Sequence, residues 1–239
     1  MLPSPAIPAG SADHEPLLLL RGVSRSYGPL QALKPIDLTV AAAQCIALLG
    51  VNGSGKSTLL RIAAGRDKPT SGQLHYRGRP LHEDDLAART EIAMAGEASS
   101  AYPDLTVREH LMLVAVAHGA GTRSPELVDA ALAECRLAEH GAALPRALSS
   151  GQRQALQLAA VMVRPRRLLV LDEPEQRLDP AARRWLAQVL AAEKARGTAL
   201  LVATHHVELA EAVADEVIVL LDGGVLGRGT PSQALGSLR

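Results

Sequence analysis

From Gly50 to Thr58 the chain reads GVNGSGKST, and Gly50, Gly55, Lys56 and Ser57 fall at the Gly-x-x-x-x-Gly-Lys-Ser spacing of a phosphate-binding loop. Glycines at this spacing let the backbone of Asn52, Gly53 and Ser54 curl until its N–H groups face phosphate oxygens. The helix expected behind the loop, beginning around Thr58, adds the positive end of its dipole. Lys56 supplies a charge for β- and γ-phosphates, and the Ser57 hydroxyl suits Mg²⁺. A glycine-rich turn with a chance lysine is the competing reading. An apolar strand before the loop and an amphipathic helix after it argue against that reading.

A second group of reactive residues follows more than a hundred positions later. Leu168, Leu169, Val170 and Leu171 form an apolar run that ends in Asp172 and Glu173. A buried strand would carry both carboxylates to the carboxyl end of a sheet, where a phosphate loop also lies. Asp172 is then placed to hold Mg²⁺, and Glu173 to polarise an attacking water as general base. Alone, such a pair could equally be solvated acids at a strand end; beside a phosphate loop that alternative weakens.

These groups need elements to position them. Strands are expected over 17–23, 36–40, 45–49, 91–94, 168–171 and 198–203, with hairpins over 73–81 and 217–227. Helices are expected after the loop as far as Gly65, across an alanine-rich stretch from 106 to 139 broken at 119–121, and over 180–194 and 207–213. Strands alternating with helices imply an α/β fold with a largely parallel sheet covered on both faces. No internal repeat is visible. The first 16 residues are rich in Pro and small residues without a continuous apolar segment, so they read as a disordered tail and not a signal peptide.

Composition narrows the field. The 239 residues suffice for one large domain with a sizeable core. Hydrophobic residues make up 47% and aromatics 2%, with no Phe, so Leu, Val, Ala and Ile must build that core. The 25 basic and 25 acidic residues balance, which counts against a nucleic-acid partner. Two cysteines, Cys45 in an apolar strand and Cys135, do not make a disulfide framework and fit a reducing cytoplasm. No apolar stretch approaches the length of a membrane-spanning helix.

Leu148, Ser149, Ser150, Gly151 and Gln152 then supply a family resemblance. The peptide is similar to the LSGGQ signature of ABC-transporter ATPases, departing only at Ser150. The order of phosphate loop, signature, Asp-Glu strand, Leu178-Asp179 and His205 is also the family's order, and the resemblance spans about 17–230. It implies a phosphate-loop ATPase core with a mostly parallel sheet, an antiparallel β subdomain and a helical subdomain over about 102–147, leaving 231–239 as a C-terminal tail. By position it implies that Tyr27 stacks on adenine and that His205 contacts the γ-phosphate. It further implies that Asp179 lies at a dimer seam and that Ser149 to Gln152 act on ATP bound by a second cassette. The cofactors implied are ATP and Mg²⁺.

Two positions depart from the pattern. Glu97 stands where the family has a glutamine that touches Mg²⁺ and the attacking water, and no Gln occurs between Gln73 and Gln152. A carboxylate can still ligate Mg²⁺, but it adds negative charge near the γ-phosphate. Gln176 and Arg177 replace the small residues expected before Leu178-Asp179.

The resemblance implies the motor subunit of an ABC transporter, peripheral on the inner face of the membrane, paired head-to-tail with a second cassette and driving separately encoded transmembrane permease subunits. The short chain and the stretch from Tyr102 to Leu111 lean towards export. A soluble ABC ATPase acting on a protein assembly is the alternative.

Overall fold

The protein is described from a computed structural model over residues 15–82, 84–96 and 101–236. Two sheets share one core. The smaller is antiparallel, in the order β2 (Leu30–Val40), β1 (Leu18–Tyr27), β4 (Ser71–Tyr76), β5 (Arg79–Pro80). The larger has six strands, in the order β10 (Gly224–Gly229), β9 (Glu216–Leu221), β3 (Cys45–Leu49), β8 (Ala199–Thr204), β7 (Leu168–Asp172), β6 (Ile92–Ala95). Its pairings are parallel except at β10, which turns back antiparallel on β9.

The strand sequences explain this arrangement. β3, β7 and β8 are continuous apolar runs because both faces are covered. Along β7, Leu168 and Val170 face one layer, whereas Leu169 and Leu171 face the other. The first layer joins α1 (Lys56–Ala63) to the antiparallel sheet, with Leu59, Leu60 and Ile62 fully buried. Burial of each such side chain contributes about 1.5–3 kcal/mol. The second layer holds α3 (Val107–Ala117), α4 (Ser124–Glu134), α5 (Ser150–Met162), α6 (Pro180–Ala195) and α7 (Val207–Val213).

Several elements differ from the sequence expectation. The alanine-rich stretch divides at the expected break into α3 and α4, but the second helix stops at Glu134, and isolated 3-10 turns follow through Ala147. A short helix, α2 (Leu86–Glu91), precedes β6 and was not expected. The segment expected as a tail from residue 231 carries α8 (Pro231–Gly236), whose Ala234 packs with Ala47, Leu49, Val217 and Val219. Thr230 accounts for it: its N–H donates to Gln233 Oε1 at 3.1 Å, one half of a capping arrangement, with Pro231 at the first helical position. Cys45 and Cys135 are both buried and free. No helix among the described residues is long and apolar enough to cross a membrane.

Candidate functional site

The strand β3 delivers Gly50 to the carboxyl edge of the large sheet, and the loop turns there into α1. Conformation demands glycine at Gly55, whose φ is 101° and whose Cβ would lie 2.9 Å from the Ala32 carbonyl oxygen. Gly50 is barred by space: a Cβ would meet the Leu220 carbonyl oxygen at 2.5 Å. The first turn of α1 has no side-chain cap, so its N–H groups remain available to an anion.

Lys56 is only 4% exposed. Its Nζ donates to the carbonyl oxygens of Gly50 at 2.7 Å and Val51 at 3.1 Å, and lies 3.9 Å from Glu173 Oε1. A buried ammonium held by loop carbonyls can exchange them for phosphate oxygens at small cost, because each is a hydrogen bond to a full charge.

The strand β7 brings Asp172 and Glu173 to the same edge. Asp172, Glu173, Lys56, Ser57 and Tyr27 all line one cavity of about 940 Å³, with Asn52, Gly53, Gly55 and Thr58 on its loop side. Ser54 is buried against Gly50, with a side-chain hydroxyl that has no partner among the described residues. Glu173 adopts a left-handed backbone, φ 48°, and its N–H donates to the Ala203 carbonyl at 2.9 Å. That conformation costs a non-glycine residue on the order of 1–3 kcal/mol and turns the carboxylate into the cavity. His205 follows β8, with Nδ1 3.7 Å from Glu173 Oε2. Gly96 lies against Asp172, where a Cβ would sit 3.4 Å from the Asp172 Cβ. Glu97 falls outside the described residues.

Tyr27 is held from three directions. Its hydroxyl donates to Asp67 and accepts from Arg61 at 3.1 Å, and the Arg25 guanidinium lies 4.4 Å from its ring centroid. A pinned aromatic ring at a cavity edge is suited to stacking a flat heterocycle.

The other predicted residues sit apart. Ser149 to Gln152 do not line this cavity. Ser149 and Gln152 instead form a capping box on α5, with Ser149 N–H donating to Gln152 Oε1 at 2.8 Å and Gln152 N–H to Ser149 Oγ at 3.2 Å. Ser150 is exposed. A Cβ on Gly151 would meet only ordinary contacts, 3.7 Å to Leu178 and 3.8 Å to the Arg177 carbonyl. Packing within the chain therefore does not require glycine there. Asp179 caps α6, accepting from Ala182 N–H at 2.8 Å.

One residue escaped the sequence reading. Glu175 is fully buried; it accepts from the Thr204 hydroxyl, its Oε1 lies 4.0 Å from His205 Nδ1, and its Oε2 has no partner among the described residues. Its signal was a third acid, two positions beyond Glu173, between the expected strand and the expected helix.

A family profile described as ABC transporter matches residues 33–176. The Nod factor export ATP-binding protein I of Rhizobium sp. (strain N33) is 34% identical over 89% of this chain and 70% of its own length. Its counterpart from Bradyrhizobium diazoefficiens is also 34% identical, with the same coverage. Among solved structures, an ATP-binding subunit of an ABC transporter superposes with a TM-score of 0.81 at 30% identity over 90% of both chains. A bacterial ABC transporter cassette in dimeric form gives 0.83 over 90% of this chain and 98% of that one, at 24% identity. The chain belongs to the ABC transporter family, as an ATP-binding subunit whose ATP hydrolysis is coupled to transport.

Proposed function

We propose that this chain is the motor of an exporter, working as a head-to-tail pair of cassettes that drives separate membrane subunits from the inner face of the membrane. The observation that carries the paired site is the separation within one chain. The nucleotide cavity holds the phosphate loop and both carboxylates, whereas Ser149 and Gly151 stand outside it at the exposed start of α5. A second copy, reversed, would place its Gly151 over the first copy's nucleotide, where the missing Cβ allows close approach. The lean to export is supported by the export ATP-binding proteins that are a third identical to this chain.

In this reading Tyr27 stacks on the base. The N–H groups from Asn52 to Thr58 surround the β- and γ-phosphates, and Lys56 leaves the Gly50 and Val51 carbonyls for phosphate oxygens. Ser57 and Asp172 offer a hydroxyl and a carboxylate, hard oxygen donors that fit Mg²⁺, which would neutralise phosphate charge there. Glu173 orients and deprotonates the attacking water. His205 contacts the γ-phosphate from the end of β8. Closure of the pair is favoured by ATP and lost after hydrolysis, because only ATP contacts both halves.

The test is purification of the tagged chain from detergent-solubilised membranes, with and without ATP in the Glu173→Gln background. A polytopic protein should co-purify, and the Glu173→Gln chain should dimerise on ATP. Recovery with soluble proteins alone would favour the assembly-partner alternative.

A further inference from the structure

Three metal-ligating side chains converge at the end of β8. Glu175, His205 and His206 each bring one donor atom, and the three atoms lie within 4.8 Å of one another. Adjacent side chains on a strand point to opposite faces. Here β8 ends at Thr204 and α7 begins at Val207, and in the bend between them the two imidazoles sit side by side, their centroids 4.3 Å apart. Glu175 Oε1 lies 4.0 Å from His205 Nδ1.

The carboxylate is the unusual member. Glu175 is fully buried, and no lysine or arginine among the described residues pairs with it. The Thr204 hydroxyl engages Oε1, but Oε2 has no partner among the described residues. A carboxylate withdrawn from water with acceptor capacity unused is costly, and buried charges of this kind are paired or coordinate metals. Thr204, itself fully buried, ties the group together, since its hydroxyl donates to Glu175 and accepts from the His206 N–H at 3.0 Å. Partners of this sort orient the ligands of metal sites. Arg183 Nη1 stands 3.4 Å from His206 Nδ1, a long contact that a ligand bond can displace.

Two imidazoles and one carboxylate are a donor set for Zn²⁺, with a fourth position left open. Mg²⁺ prefers oxygen donors throughout, so this group is chemically distinct from Ser57 and Asp172. Tetrahedral zinc spaces its donors about 3.3 Å apart. The His205 side chain is 47% exposed, which gives it room to close the remaining distance and gives an ion a way in.

We propose that Glu175, His205 and His206 form a second metal site, for Zn²⁺, whose occupation arrests ATP hydrolysis. A zinc bond takes the His205 lone pair and fixes the ring beside Glu175, away from a γ-phosphate. The arrest rests on the reading that His205 contacts the γ-phosphate; the binding of zinc does not.

Zinc affinity is measured first, without nucleotide, on the full chain with any affinity tag removed, by competition with a chromophoric chelator. His206→Asn should weaken it by at least about tenfold, since loss of even a supporting partner costs a metal site that much. His206 is the N-cap of α7 and Asn is a favoured capping residue, so the fold should be undisturbed. Glu175→Gln should weaken zinc to a similar degree, with thermal melting to report whether it folds. ATPase is then followed in excess Mg²⁺ at buffered free Zn²⁺. The native chain should lose about tenfold or more at saturating zinc, whereas His206→Asn should match the native rate without zinc and keep it with zinc. Equal zinc affinity in the native chain and His206→Asn overturns the proposal. So does inhibition that added Mg²⁺ reverses, which would mean that zinc acts at Ser57 and Asp172. If His206→Asn loses zinc but the zinc-loaded native chain hydrolyses ATP at full rate, the metal site stands and the arrest falls, together with the contact of His205 with the γ-phosphate.

Discussion

The two edges of the six-stranded sheet are built on opposite principles. At the amino edge, before β6, β7, β8 and β9 begin, charges are matched. Glu91 meets Arg77 at 3.0 Å and the Tyr76 hydroxyl at 3.0 Å. Glu193, fully buried, accepts from Arg166 at 2.7 Å and Arg196 at 2.6 Å, with the Thr198 hydroxyl at 3.3 Å. Asp215 takes Lys194 at 2.9 Å and the Cys45 N–H at 2.8 Å. At the carboxyl edge the first turn of α1 has no side-chain cap, Ser54 and Glu175 keep unmet oxygens, and Glu173 and Arg177 hold left-handed backbones. These matched pairs stabilise the fold at one edge, whereas the other leaves polar groups open for a ligand.

The largest test of that division is Glu173→Gln. General-base removal should lower ATPase by about 10²–10⁴-fold. Thermal stability should change little, because the nearest charged groups to the Glu173 carboxylate among the described residues are Lys56 at 3.9 Å and His205 at 3.7 Å. A large fall in melting temperature would mean that the carboxyl edge also bears the fold.

The mirror experiment is Glu193→Gln. Leaving Arg166 buried without its carboxylate should cost about 3–5 kcal/mol in denaturant titration, with ATPase per folded molecule nearly intact. Burial raises the Glu193 carboxyl, but Arg166 and Arg196 outweigh it and hold it below the usual carboxylate range. A group depressed in the folded state stabilises above its unfolded value and loses that contribution as pH falls through its folded value. The native chain should therefore lose stability on acidification below the ordinary carboxylate range, and Glu193→Gln should be flatter there.

The same division decides what was legible in the sequence. The phosphate loop and the β7 carboxylates were readable because their chemistry needs fixed residue types at fixed spacing. The parallel strands were readable because burial on both faces leaves unbroken apolar runs such as Leu168 to Leu171. The amino-edge network was not, since Glu193 is a charged residue late in an amphipathic helix, and only the return of Arg166 from the preceding segment reveals its burial. Glu175 was lost for a related reason: Thr204, its partner, is 29 residues away. The helix α2 has six residues, too few to establish a period. The helix α8 is legible in Thr230, Pro231 and Gln233, a capping residue, a first-turn proline and a reciprocal acceptor.

Gly151→Ala refines the comparison at a position that neither edge uses within the chain. Its Cβ meets only ordinary contacts, so helix propensity should leave stability unchanged or raise it by about 0.5–1 kcal/mol. If a second cassette's nucleotide approaches this backbone, ATPase should fall about tenfold or more, and the loss should appear as weaker ATP-driven dimerisation in size-exclusion chromatography. Full activity in Gly151→Ala would remove the close approach from the proposed paired site.

Arg177→Gly probes the smallest effect. Arg177 holds φ 63°, a conformation that glycine adopts without steric cost, and its exposed side chain lines the nucleotide cavity. Relief of the strain, partly offset by glycine's greater freedom in the unfolded chain, should raise stability by about 0.5–1 kcal/mol, measured by urea titration. The informative readout is the ATPase measured alongside. Higher stability with unchanged activity would make Arg177 a strained residue without a catalytic purpose, and the carboxyl edge would then carry strain unrelated to its ligand. Higher stability with lower activity would show the guanidinium acting on bound nucleotide or on the opposing cassette, and would explain why a long side chain persists where the backbone favours glycine.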